Sequence, residues 1–225
     1  MGKILVPHIA NGNGDLDRNI PSINAAVRDV EKFLQAHFQI RWKIDVIFSR
    51  GLYRMAIPED GVGGRTLTSG FIELAIGENA NPPRGIIAEM LAHEAGHAVR
   101  WGVNPQRSDS FIRNAIFEGI AICIQEEFAK KAKNTTFFLD IIRKRQNDCA
   151  YYLEIGRKTH EFWENTEYDY NLLFLDGGKL ENGKSLPRWT GYKLGYYAVK
   201  EAMQQTSKTI FELYAQDFDF FIKYI

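Results

Sequence analysis

The stretch PPRGIIAEMLAHEAGHAVRWG, residues 82–102, decides how the chain is read. Pro82-Pro83 suit the opening of a helix, where a missing backbone N–H costs nothing. Gly102 is a natural C-terminal stop. Ile86, Ile87, Met90, Leu91, Ala95, Ala98 and Val99 give that helix an apolar stripe. His93 and His97 stand four residues apart, so they share a face and can point two imidazoles at one metal ion. Glu94 is rotated about 100° from His93. It can reach a metal-bound water without binding the metal. That geometry is why His-Glu-x-x-His has this spacing and no other. A second run, Thr159-His160-Glu161-Phe162-Trp163, begins the same way but lacks the second histidine, and we expect it to be surface helix.

A catalytic zinc site has three protein ligands and an open fourth position. Extended metzincin motifs place a third histidine six residues after the second, where this chain has Val103, so that class is excluded. The remaining choice is a glutamate on a following helix. Glu118 follows His97 by 21 residues, enough for one turn and return, among the apolar residues Ala115, Ile116, Phe117, Ile120 and Ile122. A carboxylate in apolar surroundings needs a positive partner, and zinc is one; the alternative is an ordinary helix-surface glutamate. Gly119 and Ala121 would let the two helices approach closely. Asn114, one turn before Glu118, is either a hydrogen-bond partner behind a ligand or a surface residue. Glu126 and Glu127 read as solvent-facing.

Working outward, Ile23, Ala26, Val27, Val30, Phe33 and Leu34 predict a helix over 21–38. Alternation of Ile44, Val46 and Phe48 predicts a half-buried strand over 42–49. Residues 57–64 read as a glycine-rich turn, and a second strand is expected over 65–76, with Ile72, Leu74 and Ile76 on one face. That strand can offer an edge for an extended peptide. After the 82–102 helix, Ser108 or Ser110 can cap a helix over 109–132. A long helix is expected over 135–163, irregular chain over 165–187, and a helix over 188–205 after Pro187. Thr206 or Ser207 can cap a last one, rich in aromatics. The order of helix, strands, then helices predicts an α+β fold with its sheet confined to the first 80 residues.

Lys+Arg and Asp+Glu balance at 28 each, which argues against nucleic acid or an anionic membrane as the main partner. No stretch reaches the roughly 20 apolar residues of a membrane span, and the expected setting is cytoplasmic. Cys123 and Cys149, too few for a disulfide scaffold, are expected to be reduced and on helices. Oligomeric state is not legible.

Four separated blocks resemble the predicted zinc-dependent protease family (domain of unknown function 2268). They are Asp60-Gly61-Val62-Gly63-Gly64-Arg65-Thr66, the His93–Arg100 run, Glu118-Gly119-x-Ala121, and the run from Leu186 to Tyr196. The Ala95-Gly96 pair is also similar to membrane-anchored ATP-dependent proteases, but no Walker-type loop is present. The expectation is one zincin-like domain over 1–225. Residues 1–102 hold a small sheet and the motif helix, and the helical 103–225 hold the third ligand. The expected activity is gluzincin-like peptidase chemistry: zinc on His93, His97 and Glu118, Glu94 as general base, and a peptide or protein as substrate. Tyr192 and Tyr196, four apart beside Gly191 and Gly195, are candidates to stabilise the oxyanion; the alternative is that they only pack. Arg100 either pairs with a carboxylate near the site or lies on the helix surface. Rival readings are a zinc-binding regulator without proteolysis and a zinc hydrolase of a non-peptide amide.

Overall fold

A computed structural model describes residues 2–51, 57, 59–105, 109–130, 136–143, 148–158, 160, 163–179 and 185–225. The chain forms two compact units: Met1–Val103 with Ile124–Ile141, and Asn104–Cys123 with Ile142–Ile225.

In the first unit, β1 (Leu5–Ala10), β2 (Ile44–Gly51), β3 (Val62–Thr68) and β4 (Phe71–Gly77) form one mixed sheet in the order β1-β2-β4-β3. β1 and β4 run parallel to β2, and β3 runs antiparallel to β4. Parallel neighbours need a crossover, and α1 (Ile20–His37) supplies it between β1 and β2. The expected stripe of α1, from Ile23 to Leu34, is buried. Its Glu31 accepts hydrogen bonds from the backbone N–H groups of Ile4 and Leu5, both at 2.7 Å, and so ties down the start of β1. Ile44, Val46 and Phe48 of β2 and Ile72, Leu74 and Ile76 of β4 are fully buried, as their alternation predicts.

Four expectations change in the first unit. β1 was absent from the sequence reading; its Pro7 is tolerated because β1 is an edge strand. The single strand expected over 65–76 is a hairpin, β3 and β4, turning at Ser69-Gly70. The glycine-rich turn is confined to residues 59–61, and Val62-Gly63-Gly64 already belong to β3. The motif helix, α2 (Arg84–Val103), begins after Pro83 as expected but runs through Gly102. A Cβ at Gly102 would lie 2.0 Å from the ring of Trp42, so the glycine makes room for an indole rather than ending the helix.

α3 (Phe111–Ala129) is continuous: its residues up to Cys123 belong to the second unit and those from Ile124 to the first. The Ser110 carbonyl accepts from Asn114 N, but its hydroxyl is buried without a hydrogen bond, so it does not cap the helix. Ser108 lies outside the described residues. α4 (Phe137–Arg143) and α5 (Asp148–Lys158) stand where one helix over 135–163 was expected; residues 144–147 are outside the described ones.

The second unit continues with a π-helical turn at Asn171–Asp176 and a short hairpin of β5 (Gly178–Lys179) and β6 (Ser185–Leu186). The sheet structure is therefore not confined to the first 80 residues. α6 (Thr190–Thr206) follows, then two short helices, α7 (Ile210–Leu213) and α8 (Phe218–Ile222), in place of one. Neither Thr206 nor Ser207 caps α7. Thr206 donates back to Ala202 O, Ser207 ends α6 at φ 54°, and Thr209 with Glu212 forms the capping box. Within this unit α3 and α6 meet backbone to backbone. A Cβ on Gly195 would fall 1.7 Å from Ala115 O, and one on Gly119 would fall 2.2 Å from the Gly195 carbonyl carbon. Gly119 thus meets α6. The observed class is α+β. Among the described residues, no helix is long and apolar enough to cross a membrane.

Candidate metal centre

α2 is buried from Ile86 to Arg100, so its polar residues are held in a dry setting. His93, Glu94 and His97 are exposed by only 6%, 4% and 4%. Helical spacing brings the two imidazoles together: the Nε2 atoms lie 3.2 Å apart with the rings at 87°. Two nitrogens each about 2.0–2.1 Å from one tetrahedral zinc would be separated by roughly 3.4 Å, so this pair is spaced for such an ion. His93, His97 and Glu118 each offer one ligand atom, and these atoms all lie within 4.8 Å of one another. Two imidazoles and a carboxylate are a donor set that zinc accepts. Arg100 is 1% exposed, which removes the helix-surface reading for it.

Behind His93 lies a buried polar network that the sequence reading missed. His93 Nδ1 is 3.0 Å from Gln125 Oε1. Gln125 Nε2 donates to Glu89 Oε1 at 3.1 Å and to Thr136 Oγ1 at 3.2 Å. Glu89 Oε1 also accepts from the Thr136 backbone N–H at 2.9 Å and its hydroxyl at 2.5 Å. Burial pushes the Glu89 carboxyl above its ordinary range, against the hydrogen bonds from Thr136 and Gln125. Asp60, from the turn before β3, accepts from the N–H groups of Phe137 and Phe138 at 2.6 and 3.2 Å and so caps α4. Its carboxyl is also raised, by burial first. One signal for Glu89 was available: a charged residue four before His93, on a helix whose other neighbours are apolar. Gln125 and Thr136 carried none, since they are 32 and 47 residues from the groups they bond.

Glu94 lies against β3. The Thr66 hydroxyl donates to it, 2.8 Å from both the carboxylate Oε2 and the main-chain oxygen. Gly64 is required there: a Cβ would come 2.6 Å from Glu94 Cγ and 2.9 Å from Oε1. Of the stretch expected to offer an edge, β3 is an edge strand and β4 is an inner one. Gly61 O accepts from Gly77 N across the hairpin, and antiparallel pairs alternate between bonded and non-bonded. The pairs Val62–Ile76, Gly64–Leu74 and Thr66–Ile72 are therefore non-bonded, and their β3 members turn N–H and C=O away from β4. The Val62 carbonyl is taken by Ile57 N at 3.1 Å. Among the described residues, no strand pairs with β3 at Gly64 and Thr66.

Tyr192 and Tyr196 lie on α6 in the second unit. The Tyr192 hydroxyl is 3.0 Å from that of Tyr170, and its ring packs edge-on against Phe174. Tyr196 is 4% exposed and packs on Tyr197, with Lys200 over its ring. Asn114 donates to the Tyr168 hydroxyl at 2.7 Å, a pairing the sequence did not suggest. Burial raises Tyr168, and the negative charge of Glu118 adds to that. His160 of the second His-Glu pair is exposed and packs on Trp163; Glu161 lies outside the described residues. Cys123 is buried.

No curated protein and no solved structure matches the chain. A family does match, over residues 23–223, and its description agrees with a zinc-type donor set: the chain belongs to the family described as predicted Zn-dependent protease (DUF2268).

Proposed function

We propose that the chain is a gluzincin-like metallopeptidase in which His93, His97 and Glu118 hold a catalytic zinc ion and Glu94 is the general base. Residues 1–225 act as one zincin-like domain. The observation that carries it is the convergence of three ligand atoms within 4.8 Å, with an intact, non-ligating glutamate one residue after His93. A zinc ion held there supplies a water acidified to a pKa of about 7 and a Lewis acid for the substrate carbonyl. The chain's own residues do the rest. The Glu94 carboxylate, oriented by the Thr66 hydroxyl at 2.8 Å, takes a proton from the attacking water and delivers it to the leaving amine. An extended peptide pairs with the outward backbone groups of Gly64 and Thr66, which sets its scissile bond beside Glu94. α6 contributes the oxyanion donor, with Tyr192 and Tyr196 as its two candidates.

Glu94→Gln tests this reading. An amide cannot accept the proton at neutral pH, so hydrolysis of a mixed-peptide library, followed by mass spectrometry, falls by about 100- to 10,000-fold. Zinc content stays at the wild-type value. Equal cleavage by the variant contradicts the mechanism. A zinc-loaded wild type that cleaves nothing across the library contradicts peptidase activity and favours the regulator reading.

A further inference from the structure

We infer that Gln125, itself oriented by Glu89 and Thr136, sets the tautomer of His93 and so presents its Nε2 lone pair for metal. The inference deepens the zinc reading above and rests on it for its consequence, though not for the tautomer itself.

A backbone N–H can only donate, so the 2.9 Å contact from Thr136 N makes Glu89 Oε1 an acceptor. The Gln125 group facing that oxygen at 3.1 Å is then its NH2, the only donor an amide has. Thr136 Oγ1, 3.2 Å from the same nitrogen and 2.5 Å from Glu89 Oε1, lies on that same side and shares the donor. Gln125 Oε1 is thereby turned towards His93 Nδ1 at 3.0 Å. An amide oxygen only accepts, so His93 carries its proton on Nδ1. A neutral imidazole with Nδ1–H has its lone pair on Nε2, the atom that faces His97 at 3.2 Å.

Every link is buried. Glu89, Gln125 and Thr136 are each fully inaccessible, so water does not compete for these groups. Thr136 is further pinned because its hydroxyl accepts from Leu139 N at 3.1 Å at the start of α4. Gln125 lies seven residues after Glu118 on α3, so both occupy the same face of that helix, two turns apart. One helix therefore carries a candidate ligand and the group that presets another ligand. Gln125 and Glu89 are positioning residues: neither is among the three ligand atoms that converge.

The test reads the tautomer directly. Zinc is removed by a chelator, and long-range proton–nitrogen NMR is recorded on 15N-histidine-labelled protein above the imidazole pKa. Wild-type His93 is expected to show a protonated Nδ1 and a bare Nε2. Gln125→Met keeps the side-chain volume but removes the acceptor; His93 should move to the Nε2–H form or a mixture. Zinc affinity, measured by competition with a chromophoric chelator, should fall about 10- to 100-fold. Circular dichroism establishes that the variant is folded. An Nε2-protonated His93 in the wild type overturns the inference whatever the variant does. An unchanged tautomer and unchanged zinc affinity in a folded Gln125→Met also overturn it. A wild type with the expected tautomer that binds no zinc sinks the zinc reading instead, so the two failures are distinguishable.

Discussion

Gly64 shows how little freedom the candidate site has at single positions. Its missing Cβ leaves the space that the Glu94 side chain occupies, with Cγ 2.6 Å and Cδ 3.0 Å from where that atom would be. Gly64→Ala must push the carboxylate aside or move β3. The metal ligands are on other residues, so zinc content is expected to stay at the wild-type value. Peptide hydrolysis should drop by about 100-fold, the cost of misplacing a reacting group by about an ångström. Paired zinc and kcat measurements check this; a variant with wild-type kcat would mean Glu94 has room to spare. At this scale the sequence was legible where chemistry follows from spacing. His93, Glu94 and His97 are set by the helix period alone. Gln125 and Thr136 were not legible, because the hydrogen bonds that tie them to His93 and Glu89 span 32 to 47 residues and depend on a tertiary fold that no local pattern encodes.

Among elements, α3 matters most, since Glu118 and Gln125 both ride on it. Within the second unit it is held against α6 at a glycine contact with no spare space. The atoms that a Gly195 Cβ would strike are the Ala115 carbonyl oxygen at 1.7 Å and carbon at 2.4 Å, which are backbone and cannot swing away. Gly195→Ala should therefore force the helices apart and destabilise the protein by about 1–3 kcal/mol, the usual range for overpacking. Urea denaturation of wild type and variant gives the figure, and an unchanged midpoint would refute the close contact. The small-residue stripe on α6 was readable in the sequence, but its partner was not. That Gly119 meets α6 is not readable either, because a glycine reports that something comes close without saying what. The β3–β4 hairpin was read as one strand for a related reason: Thr68-Ser69-Gly70 interrupts the alternation too briefly to register as a turn. β1 was missed because Pro7 and His8 break its apolar run, and pairing with β2 along six residues outweighs that local weakness.

For the whole molecule, the α+β class and the family were legible from separated blocks of sequence, and the family match extends over residues 23–223. The passage of α3 and α4 from one unit into the other was not, since no composition change marks the crossing. The proposal stands on whether His93, His97 and Glu118 hold zinc. Metal analysis by mass spectrometry, after dialysis against metal-free buffer, tests it most directly when run on wild type, His93→Ala, His97→Ala, Glu118→Ala and Glu94→Gln. About one zinc ion per chain is expected in the wild type and in Glu94→Gln, and far less in each of the three ligand variants. Stoichiometric zinc in any ligand variant that remains folded, or none in the wild type, would contradict it.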